Sequence, residues 1–304
     1  MTYKSRIKPK ALTVLEILDK RMQLDKEKKR RYFTLRKGYE GEVSFDLLTK
    51  KLKCECLILN DLLLTQNNTT FQTDTLIIAH GKIHLFEIKN NAGDHYYESD
   101  HMYHISGVKL GHPVHQLERS ESLLQQLIYT LGHNYPIEAS VVYINPSFTM
   151  YQAPRYQPII YPAQIKNHLH QMNHTPSHIT DKHIQLADQL IDLHQTSSRF
   201  EQMPEYGYDD VMKGMLCGTC HTILKSSHEE ILRCSACNHA EYASSAILRS
   251  IREFHLLFPE KKITTRNIYE WCEIMDKQRI KRILLKKFKR KGSGRWTYFE
   301  YRKR

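Results

Sequence analysis

Two apolar runs joined by a turn-forming dipeptide constrain this chain more than anything else in it. Phe71 to Ala79 and Ile83 to Lys89 both read as β-strands, with His80-Gly81 between them as the loop of a hairpin. In such a hairpin the numbers of paired residues have a constant sum. Ala79 opposite Lys82 sets that sum and places Asp74 opposite Glu87. Facing residues have Cβ atoms about 5 Å apart, where two like charges repel. Lys89, two residues beyond Glu87, points to the same face. Two acids and an amine thus converge on an otherwise apolar hairpin (Leu76, Ile77, Ile78, Ile83, Leu85, Phe86, Ile88). Two readings are open at this point. One is a solvated sheet face that carries charge. The other is a site where a divalent cation removes the repulsion between the carboxylates, with oxygen ligands that suit magnesium or manganese. The lysine could then stabilise charge developing on a phosphate or help activate water.

The segments around the hairpin predict an α/β domain. Residues 1–37 read as a basic, helical extension, in which Leu12, Leu15, Ile17, Leu18 and Met22 form a loose helical stripe. Gly38 to Leu52 restarts a helix, and Cys56 to Leu64 reads as a strand that leads to a turn at Asn67-Asn68. Beyond the hairpin, the polar, histidine-rich stretch 94–112 carries no clear period. Pro113 opens a helix over Val114 to Leu131, and Ile137 to Ile144 is a strand stopped by Asn145-Pro146. A short strand at Pro158 to Tyr161 and helices near 163–172 and 180–195 complete a domain over 38–200. The order predicts a mixed sheet flanked by helices. A linker follows at Ser197 to Tyr208, or 201–214 in its widest bounds; then come a cysteine module at 215–242 and a mostly helical segment at 243–304.

Asp74, twelve intervening residues and then Glu87-Ile88-Lys89 resemble the PD-(D/E)XK nuclease signature. More narrowly, residues 38–200 resemble the nuclease-related domain (NERD) family. The resemblance is carried by Gly38-Tyr39-Glu40-Gly41-Glu42, Thr73-Asp74, Phe86-Glu87-Ile88-Lys89-Asn90 and Pro113-Val114-His115-Gln116, in that order. Thr73 stands where the superfamily name has proline, and the stretch after Asn90 lacks a tryptophan found in many of these sequences. The resemblance implies a restriction-endonuclease-like core and metal-dependent phosphodiester cleavage. It implies that Asp74 and Glu87 bind the metal, that Lys89 is the catalytic lysine, and that Glu42 and Gln116 reach the site from the flanking helices. The histidines at 95, 101, 104, 112 and 115 lack the i, i+4 pair with a carboxylate that a zinc hydrolase uses, which favours a phosphate-facing or surface role.

Cys217-Gly218-Thr219-Cys220 and Cys234-Ser235-Ala236-Cys237 form two identical pairs with 13 residues between them. Each CxxC turn presents two thiolates, and two turns close a tetrahedral zinc site. A dithiol redox centre is the alternative. Thr222–Leu224 and Glu230–Arg233 can supply the ribbon strands, and a module this small needs the metal for folding. Cys54, Cys56 and Cys272 read as inert thiols.

Charge is distributed unevenly. From Lys261 to Arg304 there are 16 Lys/Arg and 4 Asp/Glu, a net +12, which equals the whole chain's net charge and leaves residues 1–260 neutral. This basic segment also holds Trp271, Phe288, Trp296, Tyr298, Phe299 and Tyr301, more aromatic surface than a solvated tail uses. Thr264 or Thr265, and then Asp276, can cap two helices, the first running to about Ile274. With the preceding amphipathic helix and a terminal strand, the outline resembles a winged helix. Lys281, Arg282, Lys286, Lys287, Lys289, Arg290 and Arg295 are the expected nucleic-acid contacts, to the phosphate backbone first. A calmodulin-like partner and an anionic membrane surface are lesser alternatives. No apolar run reaches membrane-spanning length, and the N-terminus has no apolar core of a signal peptide, so the expectation is a cytoplasmic protein. The function these features support is a magnesium- or manganese-dependent nuclease acting on DNA, with RNA possible. The alternative is a catalytically silent nuclease fold that binds DNA or RNA.

Overall fold

A computed structural model describes residues 2–196, 202–225, 229–273 and 276–302. The end of the helix expected to reach Ile274, and residues 197–201 of the expected linker, lie outside the described residues. The chain divides into two units, Met1–Pro9 with Phe33–Glu201, and Lys10–Tyr32 with Gln202–Arg304. Strand β1 (Thr2–Lys4) opens the chain, followed by helices α1 (Lys10–Arg21) and α2 (Lys26–Thr49). Residues 1–37, expected to be one helical extension, thus begin as a strand. Gly38, where a new helix was expected to start, lies inside the continuous α2.

In the first unit β2 (Leu57–Gln66), β3 (Thr69–Ala79) and β4 (Lys82–Lys89) form an antiparallel meander. Asn67 and Asn68 both have positive φ (49° and 58°), as the primed turn between β2 and β3 requires, and Asn tolerates that conformation. The β3–β4 hairpin keeps the expected register, with Ala79 paired to Lys82 and Thr75 to Phe86. Further along come β5 (Gly93–Glu98), β6 (His101–His104), β7 (Lys109–Leu110), α3 (Pro113–Thr130), β8 (Ile137–Tyr143), β9 (Phe148–Tyr151), β10 (Ile159–Ile160), α4 (Ile165–His174) and α5 (Asp181–Asp192). The main sheet has the order β1-β2-β3-β4-β8-β10 and is mixed: β1 with β2, β4 with β8 and β8 with β10 are parallel.

Alternation along the strands feeds two cores. Leu59, Leu76, Leu85 and Val141 pack with α3 (Leu117, Leu124, Ile128) and α5 (Leu186, Leu190). Ile58, Ile77, Phe86 and Val142 pack with Phe45 of α2 and with Ile165 and Leu169 of α4. The result is a mixed sheet with helices on both faces. The stretch 94–112 is not irregular: β5, β6 and β7 join β9 in a second sheet, ordered β7-β6-β5-β9. Ser99 and Asp100 turn at positive φ (47° and 61°) between Glu98 and His101.

The second unit holds α1, the cysteine module with β11 (Ile231–Arg233) and β12 (Ala240–Tyr242), α6 (Ala243–Leu257), α7 (Thr265–Cys272), α8 (Lys277–Lys287), and a closing hairpin, β13 (Lys289–Lys291) with β14 (Tyr298–Glu300). The expected caps are present: the Thr264 hydroxyl accepts from the Asn267 N–H, and the Asp276 carboxylate accepts from the Gln278 N–H. Strand β13 was not expected, because Lys289-Arg290-Lys291 has no apolar alternation. Trp271 sits at the centre of this unit among Phe254, Phe258 and Tyr208. The Arg21 guanidinium lies 4.4 Å from its ring centroid. Arg21 also pairs with Glu253 at 2.5 Å and donates to the carbonyls of Met212 and Gly214 at 2.9 and 3.0 Å, with no exposed side-chain surface. Among the described residues no helix is long and apolar enough to cross a membrane.

Removing one member of a buried ion pair strands the other, at a cost of about 3 kcal/mol or more. Arg21→Ala is therefore expected to destabilise the protein by at least that amount in chemical denaturation, with loss of the buried-tryptophan emission at lower denaturant. A change below about 1 kcal/mol would show that Arg21 is not the pin of this core.

Candidate active site

Strands β3 and β4 bring the acidic residues together. The register that pairs Thr75 with Phe86 also places Asp74 beside Glu87. Asp74 and Glu87 are buried, 9% and 4% exposed. The Asp74 carboxylate accepts from the backbone N–H of Ile88 at 2.7 Å. Lys89 donates its Nζ to Glu87 at 2.7 Å and to the side-chain oxygen of Gln116 at 3.1 Å. Gln116 is in the first turn of α3, so the helix that Pro113 opens delivers it to the lysine.

Glu42 arrives from α2. Gly41 makes that approach possible: a Cβ there would fall 2.6 Å from the Asn90 Cβ, just past the end of β4. The Asn90 amide in turn donates to the Lys37 carbonyl at 2.7 Å, which ties the helix to the strand end.

Sequence reasoning missed Arg6. Its side chain is 3% exposed and donates to Glu42 at 2.7 Å, to both oxygens of Asp46 at 2.9 and 3.1 Å, and to the Asp74 backbone carbonyl at 2.7 Å. Lys4, on β1, donates to the carbonyls of Asn60 and Asp61 at 2.7 Å each, where Asp61 turns to a positive φ of 57°. No local pattern marks these contacts, which span 36 to 69 residues. A lone arginine in a basic segment looks like any other.

The electrostatics follow from burial. Desolvation, followed by the charges of Glu87 and Glu42, pushes the Asp74 carboxyl well above its ordinary range, against the pull of the Ile88 N–H and Arg6. Glu42 is also pushed up by burial, and Arg6 opposes this. Burial is the largest cause at both carboxyls, and at Asp74 the charges of Glu87 and Glu42 add to it, so these oxygen donors would suit a hard cation. The three carboxylates of Glu42, Asp74 and Glu87 do not gather into a tight cage. Among the described residues only the four cysteines bring three or more ligand atoms within 4.8 Å of one another. Asp74 and Glu87 are the pair that would hold the cation.

Residues 37–144 match the family model of the nuclease-related domain, a span that contains Glu42, Asp74, Glu87, Lys89 and Gln116. The chain carries a nuclease-related domain. No curated protein and no solved structure matches the chain. Arg6 and Lys4 lie outside the matched span, so this chain completes the surroundings of the nuclease-related domain with its own N-terminal segment. The histidines of this stretch form ring contacts, His95 with His104 in the second sheet and His112 with His115 at the start of α3, and His112 pairs with the Tyr97 hydroxyl at 3.0 Å.

In the second unit the Sγ atoms of Cys217, Cys220, Cys234 and Cys237 all lie within 4.8 Å of one another. The cross-pairs Cys217–Cys237 and Cys220–Cys234 stand at 3.7 and 3.5 Å, close to the ~3.8 Å edge of a tetrahedron with zinc–sulfur bonds of about 2.3 Å. The two turns are built alike. The N–H groups of Cys217 and Cys234 donate to the carbonyls of Thr222 and His239 at 2.8 and 2.9 Å, and His221 and Asn238 take positive φ at matching positions. The cluster fits a zinc ribbon. Both segments expected as ribbon strands carry pairing: Ile223 bridges Leu216, and β11 pairs with β12, so each knuckle closes its own hairpin. The basic residues named from sequence stand on α8, β13 and the turn that follows. Lys281, Arg282, Lys286, Lys287, Lys289, Arg290 and Arg295 are exposed, and none forms an ion pair among the described residues.

Two outcomes are expected. A carboxyl whose folded pKa is raised stabilises the fold below its unfolded value, near pH 4, and loses that contribution as pH rises through the folded value. Without divalent cations the protein should therefore lose stability with rising pH. Asp74→Asn, which keeps an acceptor for Ile88, should flatten that slope and raise the neutral-pH melting temperature by about 2–4 °C. Magnesium should raise the melting temperature of the wild type and not of the variant; equal stabilisation of both would remove Asp74 from the cation site. Metal analysis should also find about one zinc per chain, lost in Cys234→Ser.

Proposed function

We propose that this protein is a magnesium- or manganese-dependent nuclease that hydrolyses phosphodiester bonds of DNA. The observation that carries the reading is the buried Asp74–Glu87 pair joined to Lys89 within a nuclease-related domain. Asp74 and Glu87 hold the cation, which when bound polarises the phosphate and lowers the pKa of water. Lys89 is held between Glu87 and Gln116 with its side chain 26% exposed, where its ammonium can neutralise charge that develops on a phosphate oxygen. Gln116 sets the direction of that amine. Arg6 positions Glu42 and, through the Asp74 carbonyl, the strand that carries Asp74.

Residues 38–200 perform the chemistry, and the zinc ribbon at 215–242 and the basic segment at 243–304 hold the substrate. The exposed cations Lys281, Arg282, Lys286, Lys287, Lys289 and Arg290 suit a phosphate backbone without regard to sequence, so RNA is a second candidate polyanion. A four-thiolate zinc site suits a reducing compartment, which supports a cytoplasmic location.

The test is cleavage of plasmid and single-stranded DNA with magnesium or manganese. Lys89→Ala should lower the rate by roughly 10²–10³-fold, and Glu87→Ala should abolish cleavage, while salt-sensitive DNA binding persists in both. Binding without cleavage by the wild type on every substrate would instead mark a silent nuclease fold.

A further inference from the structure

We infer that the hairpin closing the second unit is a wedge for unpaired nucleic-acid bases, with Trp296 as its stacking surface. The inference rests on the proposed nucleic-acid substrate and specifies which form of it this unit grips.

The chain has two tryptophans with opposite surroundings. Trp271 has no exposed surface, and its indole N–H donates to the Ser250 carbonyl at 3.0 Å. Trp296 is 74% exposed. An indole left in water forfeits the burial that large apolar rings ordinarily gain, and its faces are free to stack. The Arg295 guanidinium lies 5.4 Å from the Trp296 ring centroid.

The ring stands on a built turn. Lys289 pairs with Glu300 and Lys291 with Tyr298, and the Phe299 N–H donates to the Ile263 carbonyl at 2.8 Å, which anchors the hairpin base. At the tip, Gly292 has a φ of +69°, and a Cβ there would fall 2.5 Å from the Trp296 carbonyl oxygen. The Trp296 N–H donates to the Ser293 carbonyl at 3.1 Å, and the Thr297 hydroxyl donates to the Gly294 carbonyl at 2.9 Å. Gly292 is therefore required for the conformation that lifts Trp296 outward.

Charge selects the partner. Lys289, Arg290 and Lys291 stand on the same hairpin as Trp296, Arg295 lies against its ring, and Glu300, the acidic residue of the hairpin, pairs with Lys291 at 3.8 Å. A polyanion with flat apolar faces matches both features. In a duplex those faces are covered by neighbouring base pairs, whereas in a single strand they are open. Stacking of bases on aromatic side chains beside cations is the general mode of single-strand binding.

The two tryptophans supply the test. Full-length protein, zinc in place and no magnesium or manganese added, is titrated with a single-stranded oligothymidine of about 16 nucleotides and with a blunt duplex of the same length. Anisotropy of a labelled strand reads binding, and tryptophan emission with unlabelled DNA reads stacking. Single strand should quench the exposed Trp296 along the same isotherm as the anisotropy. Trp296→Ala should weaken single-strand binding roughly tenfold and leave duplex binding within about twofold. Trp296→Phe should recover most of the loss, and its remaining buried Trp271 should keep the native emission. Single-strand binding with unchanged emission, or equal losses on both DNAs, would overturn the wedge and leave the nuclease reading intact. No binding of either DNA would remove the substrate-holding role of this unit, and the wedge with it.

Discussion

The first unit is organised around a repulsion. Asp74 and Glu87 lie side by side on the two central strands of a sheet covered on both faces, where water cannot screen them. Burying like charges together is costly unless each finds a partner. The partners come from three directions: the Ile88 N–H within the hairpin, Lys89 from the end of the same strand, and Arg6 from the N-terminal segment. The compensation is incomplete: burial first, and then the charges of Glu87 and Glu42, still hold the Asp74 carboxyl well above its ordinary range. Residual strain of that sign is relieved by a positive ion. On the proposed reading, the folded domain has a cation's place prepared at the expense of its metal-free stability.

The hairpin was legible because its information is local. A side-chain period of two and a two-residue loop leave no freedom in register, so facing residues follow by arithmetic. The cysteine knuckles were legible for the same reason. Strand β1 and Arg6 were not, because Thr2-Tyr3-Lys4 carries no apolar alternation and its parallel pairing to β2 joins residues more than fifty positions apart. The second sheet was hidden because its strands are short and rich in histidine and tyrosine, and because Ser99-Asp100 lacks the glycine that usually announces a primed turn. Strand β13 consists of three cations. What sets its pairing is the turn at Gly292 and the anchoring of Phe299 on Ile263.

The two metal-fitting clusters differ in how they are assembled. The thiolates come from turns that close on themselves, so a short stretch of chain suffices and folding can be coupled to one ion. The oxygen donors depend on a sheet, two helices and a terminal segment that must all be in place. Loss of the ion should therefore be a local event for the carboxylate site and a structural one for the ribbon. Trp271 shows how the second unit limits its reliance on the ribbon: the core around it is closed by Arg21 from α1, not by a metal.

Charge distribution adds a constraint on how such a protein could work. Residues 1–260 have no net charge, and on the proposed reading their buried acids receive a phosphate only with a cation bound. On the proposed reading, attraction for a polyanion is concentrated in the last 44 residues, which carry a net +12, and the basic stretch at residues 1–37 adds to it. This separates holding from cutting. Affinity would depend on ionic strength through α8 and β13, because released counterions scale with phosphate contacts. The rate at the carboxylates would depend on the divalent cation, whose ligands are buried and far less screened by salt. Raising monovalent salt at saturating substrate should consequently leave the turnover step almost unchanged while the substrate concentration needed to saturate it climbs. A single site that both bound and cut through the same cations could not show that division.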